Sequence, residues 1–190
     1  MQNILIINGN PNEKSLSTSI ANELAQSINK GSNQIKTLHL YELHFDPILW
    51  NGYQKVQELE PDLVNAQNSI KEANHIVFVY PSWWGLFPAL LKGFIDRVFL
   101  PGFAFKYQDN GFPQKLLQGK TSELIVTMDT PIWFYKYVVG ALGIKLMTRS
   151  ILGFCGIKNK RVTLLSPIRQ TTNEQREQIL KKVRALGASL

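Results

Sequence analysis

Short apolar runs alternate with longer mixed stretches along this chain. Residues 3–7 begin the pattern: Ile4-Leu5-Ile6-Ile7 is a continuous run that reads as a strand buried on both faces. Residues 34–40 alternate apolar and polar and read as a second strand, and runs at 75–80, 124–128 and 161–165 complete a set of five. Mixed segments at about 17–29, 61–73, 88–99, 136–153 and 173–187 read as helices. Strand and helix in alternation predict an α/β fold, a parallel sheet with helices on both faces. Five strands point to the doubly wound order 2-1-3-4-5, and the length fits one domain over 1–190. Ligands of such sheets bind at the carboxyl ends of the strands, near the topological switch point. The loops after strands one, three and four are therefore the ones to inspect.

The first loop runs from Asn8 to Ser19 and crowds Ser15, Ser17, Thr18 and Ser19 at the start of a helix. A helix N-terminus offers free N–H groups and partial positive charge, to which hydroxyls add donors, so the cluster suits a phosphate. Helix capping explains the same residues equally well. Neither G-x-G-x-x-G nor G-K-[ST] occurs in this loop, which disfavours a nicotinamide-type Rossmann domain and a Walker loop at this position.

The loop after strand three reads Tyr80-Pro81-Ser82-Trp83-Trp84-Gly85-Leu86-Phe87-Pro88. Trp83 suits either a core or interface position or a ligand contact. Trp84-Gly85 looks like a platform for a flat ring, with glycine allowing close backbone approach. The loop after strand four, Thr127 to Tyr137, is rich in aromatics. Tyr135 could donate to a developing oxyanion. Asp129 reads first as a turn cap and second as an acid–base group.

Composition narrows the classes. The chain has 190 residues, 44% of them hydrophobic, with one cysteine and a net charge of +7. Lone Cys155 excludes an internal disulfide framework, and its apolar setting predicts an inert buried thiol. The apolar content excludes disorder. No run approaches the ~18 apolar residues of a membrane span, and the N-terminus lacks a signal-peptide pattern, so a cytoplasmic protein is expected. His39, His44 and His75 lack metal-ligand spacing, so no metal site is expected. No nucleic-acid module is visible. The adjacent Asp96 and Arg97 are read as a structural pair.

The segment 80–100 carries P-x-x-W-x-x-x-P-A-x-L-K-G-x-x-D-R-V-F, joined by Phe103-Ala104-Phe105-Lys106-Tyr107 and Leu152-Gly153-Phe154-Cys155-Gly156. On these motifs the chain, from Ile4 to about Leu180, resembles the flavodoxin-like NAD(P)H:quinone oxidoreductases of the DT-diaphorase type. The resemblance implies a flavodoxin-like sheet, a flavin cofactor (FAD, with FMN admitted by the small size) and NADPH or NADH as hydride donor. It places the flavin phosphate on Asn10, Ser15, Leu16 and Ser17. The isoalloxazine contacts fall on Pro81, Ser82, Trp83, Trp84 and Gly85. The pyrimidine edge falls on Thr127, Met128, Asp129 and Thr130, and the active-site tyrosine on Tyr135. It implies a homodimer in which Phe105 and Tyr107 reach the partner's active site. The family's catalytic histidine falls on Ala141, so a Tyr–His proton relay is not expected here. The expected activity is ping-pong hydride transfer to quinones. Azo- or nitroreduction, a regulatory subunit of a membrane ion transporter, and an electron carrier are the alternatives; such carriers are generally acidic, and this chain is basic.

Overall fold

The computed structural model describes residues 2–29, 31, 33–108 and 111–190. Strands β1 (Gln2–Asn8), β2 (Asn33–His39), β3 (His75–Pro81), β6 (Thr121–Thr127) and β7 (Lys158–Leu165) form one parallel sheet. Its order is β2-β1-β3-β6-β7, which counted within the sheet alone is the expected 2-1-3-4-5. An antiparallel pair, β4 (Phe105–Tyr107) and β5 (Pro113–Lys115), stands outside it and was not expected from the pattern.

The strands bury both faces because neighbouring residues point to opposite sides. Ile4, Ile6, Val77 and Val79 pack under helices α1 (Leu16–Ser27) and α7 (Asn173–Ala188). Leu5, Ile7, Phe78 and Tyr80 pack on the other face, beside α2 (Pro61–Glu72) and α3 (Ala89–Val98). Local chemistry fixes where helices begin. Ser15 caps α1 by accepting from the Thr18 N–H at 3.2 Å, Pro61 opens α2, and Thr172 and Gln175 form a reciprocal capping box on α7.

The helix expected over 136–153 is corrected. It is split into α4 (Ile132–Tyr137) and a second run: α5 (Leu142–Lys145), wider π-helical turns over Leu146–Leu152, and α6 (Gly153–Cys155). Gly140 and Ala141 adopt positive φ, 74° and 51°, and end the first helix. The periodicity ran across this break because apolar residues flank it on both sides.

The Asp96–Arg97 pair is also corrected, since adjacent helical residues do not face each other. Asp96 takes Lys92 Nζ at 2.7 Å. Arg97 is fully buried and reaches Glu60 Oε2 and the Glu58 carbonyl, both at 2.8 Å, and the Asp46 carbonyl. It thereby fastens the long connection after β2 to α3. Gly93 allows that closeness, because a Cβ there would collide with Pro47.

Candidate functional site

The sequence crosses from one side of β1 to the other, so β1 and β3 mark the switch point. Above their carboxyl ends lies a cleft of about 260 Å³ lined by Asn10, Leu16, Ser17, Pro81, Ser82, Trp83, Thr127, Met128, Asp129, Ile168 and Arg169.

One wall is the loop after β1, held by a succession of asparagine turns. Asn8 Oδ1 accepts from the Asn10 N–H (3.2 Å), Asn10 Oδ1 from Asn12 N–H (2.9 Å), and Asn12 Oδ1 from Lys14 N–H (2.9 Å). Buried Asn8 also meets Thr18 Oγ1 at 2.9 Å and His39 Nδ1 at 3.1 Å. Asn10 Nδ2 reaches Ser17 Oγ at 3.4 Å. Gly9 lets this loop lie on α3, since a Cβ would come 2.7 Å from Leu91 Cδ2. Ser15 serves as cap, and Thr18 N–H is answered by it. The N–H groups of Leu16 and Ser17 have no partner among the described residues, and both residues line the cleft. Ser15 thus carries the capping reading of the hydroxyl cluster.

The second wall is the loop after β3. Ser82 N–H donates to the Thr127 carbonyl at 2.7 Å, tying this loop to the end of β6. Trp83 and Leu86 exchange N–H···O bonds at 2.8 and 3.0 Å around Trp84 (φ 53°) and Gly85 (φ 77°). Positive φ at both central residues makes this a type I′ turn, a geometry that glycine and asparagine adopt freely and tryptophan does not. Trp83 is 48% exposed and lines the cleft; Trp84 is fully exposed and stands outside it.

Tyr135 lies beneath that turn. It is 2% exposed, and its hydroxyl donates to the Gly85 carbonyl at 3.2 Å. Burial pushes its phenol above the ordinary range, while the N–H groups of Ile144 and Gly143 and the Ser82 hydroxyl pull it down. A Cβ on Gly143 would collide with the Gly85 carbonyl oxygen, so the start of α5 is pressed against the turn. The hydroxyl expected to face an acceptor is therefore engaged with backbone.

The third wall joins two loops. Met128 is buried, and its N–H donates to the Leu165 carbonyl at 3.0 Å. Asp129 Oδ1 accepts from Arg169 N–H at 2.6 Å and Ile168 N–H at 3.3 Å. Thr130 accepts from Ser166 Oγ at 2.7 Å through its carbonyl. Asp129 thus acts as a cap, but across two loops. Ile168 and Arg169 were missed from the sequence. The available signal was that β7 ends on the same sheet edge as the three loops inspected.

Of the expected ligand residues, Asn10, Leu16, Ser17, Pro81, Ser82, Trp83, Thr127, Met128 and Asp129 meet in one cleft, while Ser15, Trp84, Gly85 and Thr130 do not line it. Phe105 and Tyr107 lie apart from this cleft. Phe105 is buried, edge-on to Phe154 at 4.9 Å, whereas Tyr107 turns an exposed ring outward. Both line a separate pocket with Tyr53, Phe99 and Phe154. Cys155 is buried in that region, and burial pushes its thiol up to about 11. Among the described residues no group of His, Cys, Asp and Glu could hold a metal, and no helix is long and apolar enough to cross a membrane.

Comparison with known proteins bears on this site. A model of the flavodoxin-like fold family matches residues 2–188. The chain belongs to the flavodoxin-like family. It is 31% identical over 186 residues to an NAD(P)H oxidoreductase of Haemophilus influenzae described as uncharacterized, covering 94% of this chain and 91% of that one. It is 26% identical over 204 residues to guinea-pig NAD(P)H dehydrogenase [quinone] 1, covering 95% of this chain and 74% of that enzyme. The crystal structure of Smu.1420 from Streptococcus mutans superposes with a TM-score of 0.84 at 31% identity, covering 99% of this chain and all of that one. This flavodoxin-like family therefore includes the NAD(P)H:quinone oxidoreductases.

Proposed function

We propose that the chain is a flavin-dependent NAD(P)H oxidoreductase that passes two electrons to quinones or similar acceptors and works as a homodimer. The observation that carries this reading is the cleft: unpaired N–H groups of an α-helix on one wall, a half-exposed indole on another. The residues fit a flavin. Leu16 and Ser17 N–H would meet its phosphate, with the Ser17 hydroxyl and the buried Asn10 amide beside them. Trp83 and Pro81 would bound its ring, and Thr127, Met128 and Asp129 its far edge.

When bound, the flavin supplies the hydride chemistry, taking two electrons from NAD(P)H and passing them to an acceptor in alternating half-reactions. The protein's part is to orient and to exclude water. Tyr135 is a positioning residue in this scheme: its hydroxyl fixes the Gly85 carbonyl and so sets the height of the Trp83–Leu86 turn. Protons for the acceptor come from water, since no histidine lines the cleft among the described residues.

The dimer rests on exposed apolar surface around the site. Trp84, Trp133, Tyr137, Val138 and Leu142 are each more than 60% exposed, and the two segments adjoin where Gly85 approaches Val139. A face of this kind, beside a cleft, suits a second copy of the chain.

The test is flavin identification by mass on the purified protein, then steady-state turnover of NADH and NADPH with a quinone panel. Parallel double-reciprocal plots and a dimer mass by sedimentation are expected. A flavin-loaded protein that oxidises neither nucleotide overturns the reductase reading. Azo and nitro acceptors in the same panel separate the sister activities.

A further inference from the structure

Asn8, at the end of β1, is fully buried, and both its amide oxygen and its amide nitrogen are engaged. Oδ1 accepts from the Asn10 N–H at 3.2 Å. Nδ2 meets Thr18 Oγ1 at 2.9 Å and His39 Nδ1 at 3.1 Å, the latter at the same level of the neighbouring strand β2. The Asn10 N–H fixes which way round this amide lies, because a flipped amide would set Nδ2 against it. Nδ2 therefore faces the imidazole, and two donors cannot share one hydrogen bond. Nδ1 must be the acceptor, so the geometry demands a neutral His39 with its proton on Nε2.

A proton on Nδ1 leaves two arrangements. If the Asn8 amide stays, a buried donor faces a donor. If it flips, the Asn10 N–H loses its acceptor. Either way the asparagine turns that run through Asn10 and Asn12 toward the Ser15 cap lose their first support. Asn10 and Ser17, joined at 3.4 Å, line the cleft; His39 does not. Tyr41 lies ring to ring with the imidazole at 5.3 Å, and Glu42, Glu13 and the Thr18 hydroxyl act in turn on the Tyr41 phenol.

We propose that His39 is a positioning residue for phosphate binding: its neutral imidazole holds the Asn8 amide and, through it, the loop that meets the flavin phosphate. This rests on the flavin reading above. A cation close to a phosphate ordinarily strengthens binding. Here protonation undoes the loop, so it weakens binding.

The experiment measures dissociation constants of FMN and riboflavin for the apoprotein, His39→Asn and His39→Leu, from pH ~8 down to ~5.5, the range in which histidines change charge. Asparagine offers an oxygen acceptor near the Nδ1 position and does not titrate; leucine offers none. At the upper pH, His39→Leu should lose about tenfold for FMN and stay within about twofold for riboflavin, which has no phosphate. His39→Asn should recover most of that loss. The phosphate of FMN itself titrates near pH ~6, and His39→Asn supplies that baseline. On acidification, wild type should lose FMN affinity more steeply than His39→Asn. Imidazole nitrogen NMR of the wild-type apoprotein should find the proton on Nε2.

Equal losses for FMN and riboflavin in His39→Leu would make the role merely structural and overturn the proposal. So would unchanged affinities, a proton found on Nδ1, or an FMN affinity that rises relative to His39→Asn on acidification, the mark of direct attraction. Circular dichroism checks the variants, and should neither fold, the imidazole tautomer still decides. Failure of wild-type protein to take up either flavin is a different result, and overturns the flavin reading itself.

Discussion

The Tyr135 hydroxyl lies 3.2 Å from the Gly85 carbonyl oxygen, across fifty residues of sequence, and holds up a turn whose first central residue is a left-handed tryptophan. Tyr135→Phe removes that donor and leaves a carbonyl unpaired beside a buried ring. A loss of about 1–2 kcal/mol in urea unfolding is expected. If Tyr135 positions the turn, KM rises for every quinone alike. If instead it protonates the acceptor, kcat falls most for the acceptors that are hardest to reduce, and the positioning role is wrong.

Trp84 pays for its φ of 53°. A side chain in this region costs about 1–2 kcal/mol, part of which glycine offsets through chain entropy. Trp84→Gly should therefore stabilise the monomer by about 0.5–1 kcal/mol. It should also weaken the proposed self-association, because the indole is fully exposed on the single chain. Denaturation at several protein concentrations separates the two effects; a variant destabilised at every concentration would show that the turn tolerates tryptophan without strain.

Arg97 is the one buried Lys or Arg among the described residues, paired with Glu60 and two carbonyls. Arg97→Ala strands those acceptors. Removing one partner of such a pair typically costs about 3–5 kcal/mol, read as a lower urea midpoint. A loss under about 1 kcal/mol would mean that the connection after β2 is held by its other contacts.

His75 is 4% exposed, at the opposite end of β3 from the cleft, with Nδ1 on Thr121 Oγ1 at 2.7 Å. Burial pushes its pKa down; Glu123 opposes this, and Lys160 and Arg161 reinforce it. The folded protein therefore keeps His75 neutral while the unfolded chain takes up a proton near pH ~6.5. Stability from this residue is complete above that pH and is lost as pH falls toward the lower folded value. Urea midpoints between pH 5.5 and 8 should fall on acidification, less so in His75→Asn. Identical slopes would assign the effect elsewhere.

The sheet was legible because burial on both faces forces continuous apolar runs such as Ile4–Ile7 and Ile76–Tyr80. The first cleft loop was legible because Gly9 and Pro11 end its strand. The break at Gly140–Ala141 was not, since the left-handed conformation at Ala141 comes from tertiary packing and an alanine does not announce it. Nor was the third wall: Asp129 and Arg169 are forty residues apart, and only the sheet order brings them together. The depth of Tyr135 escaped for a similar reason, because a tyrosine in an aromatic loop reads the same whether its hydroxyl faces a ligand or a backbone carbonyl.

The contact of Gly143 with the Gly85 carbonyl means that the turn after β3 and the start of α5 have shapes defined by each other. They form one inheritable unit written in two distant stretches of sequence. A relative's loop grafted over 82–87 alone would meet a support shaped for a different partner. Exchange of the 82–87 loop between members of this family should succeed only when residues 132–145 travel with it.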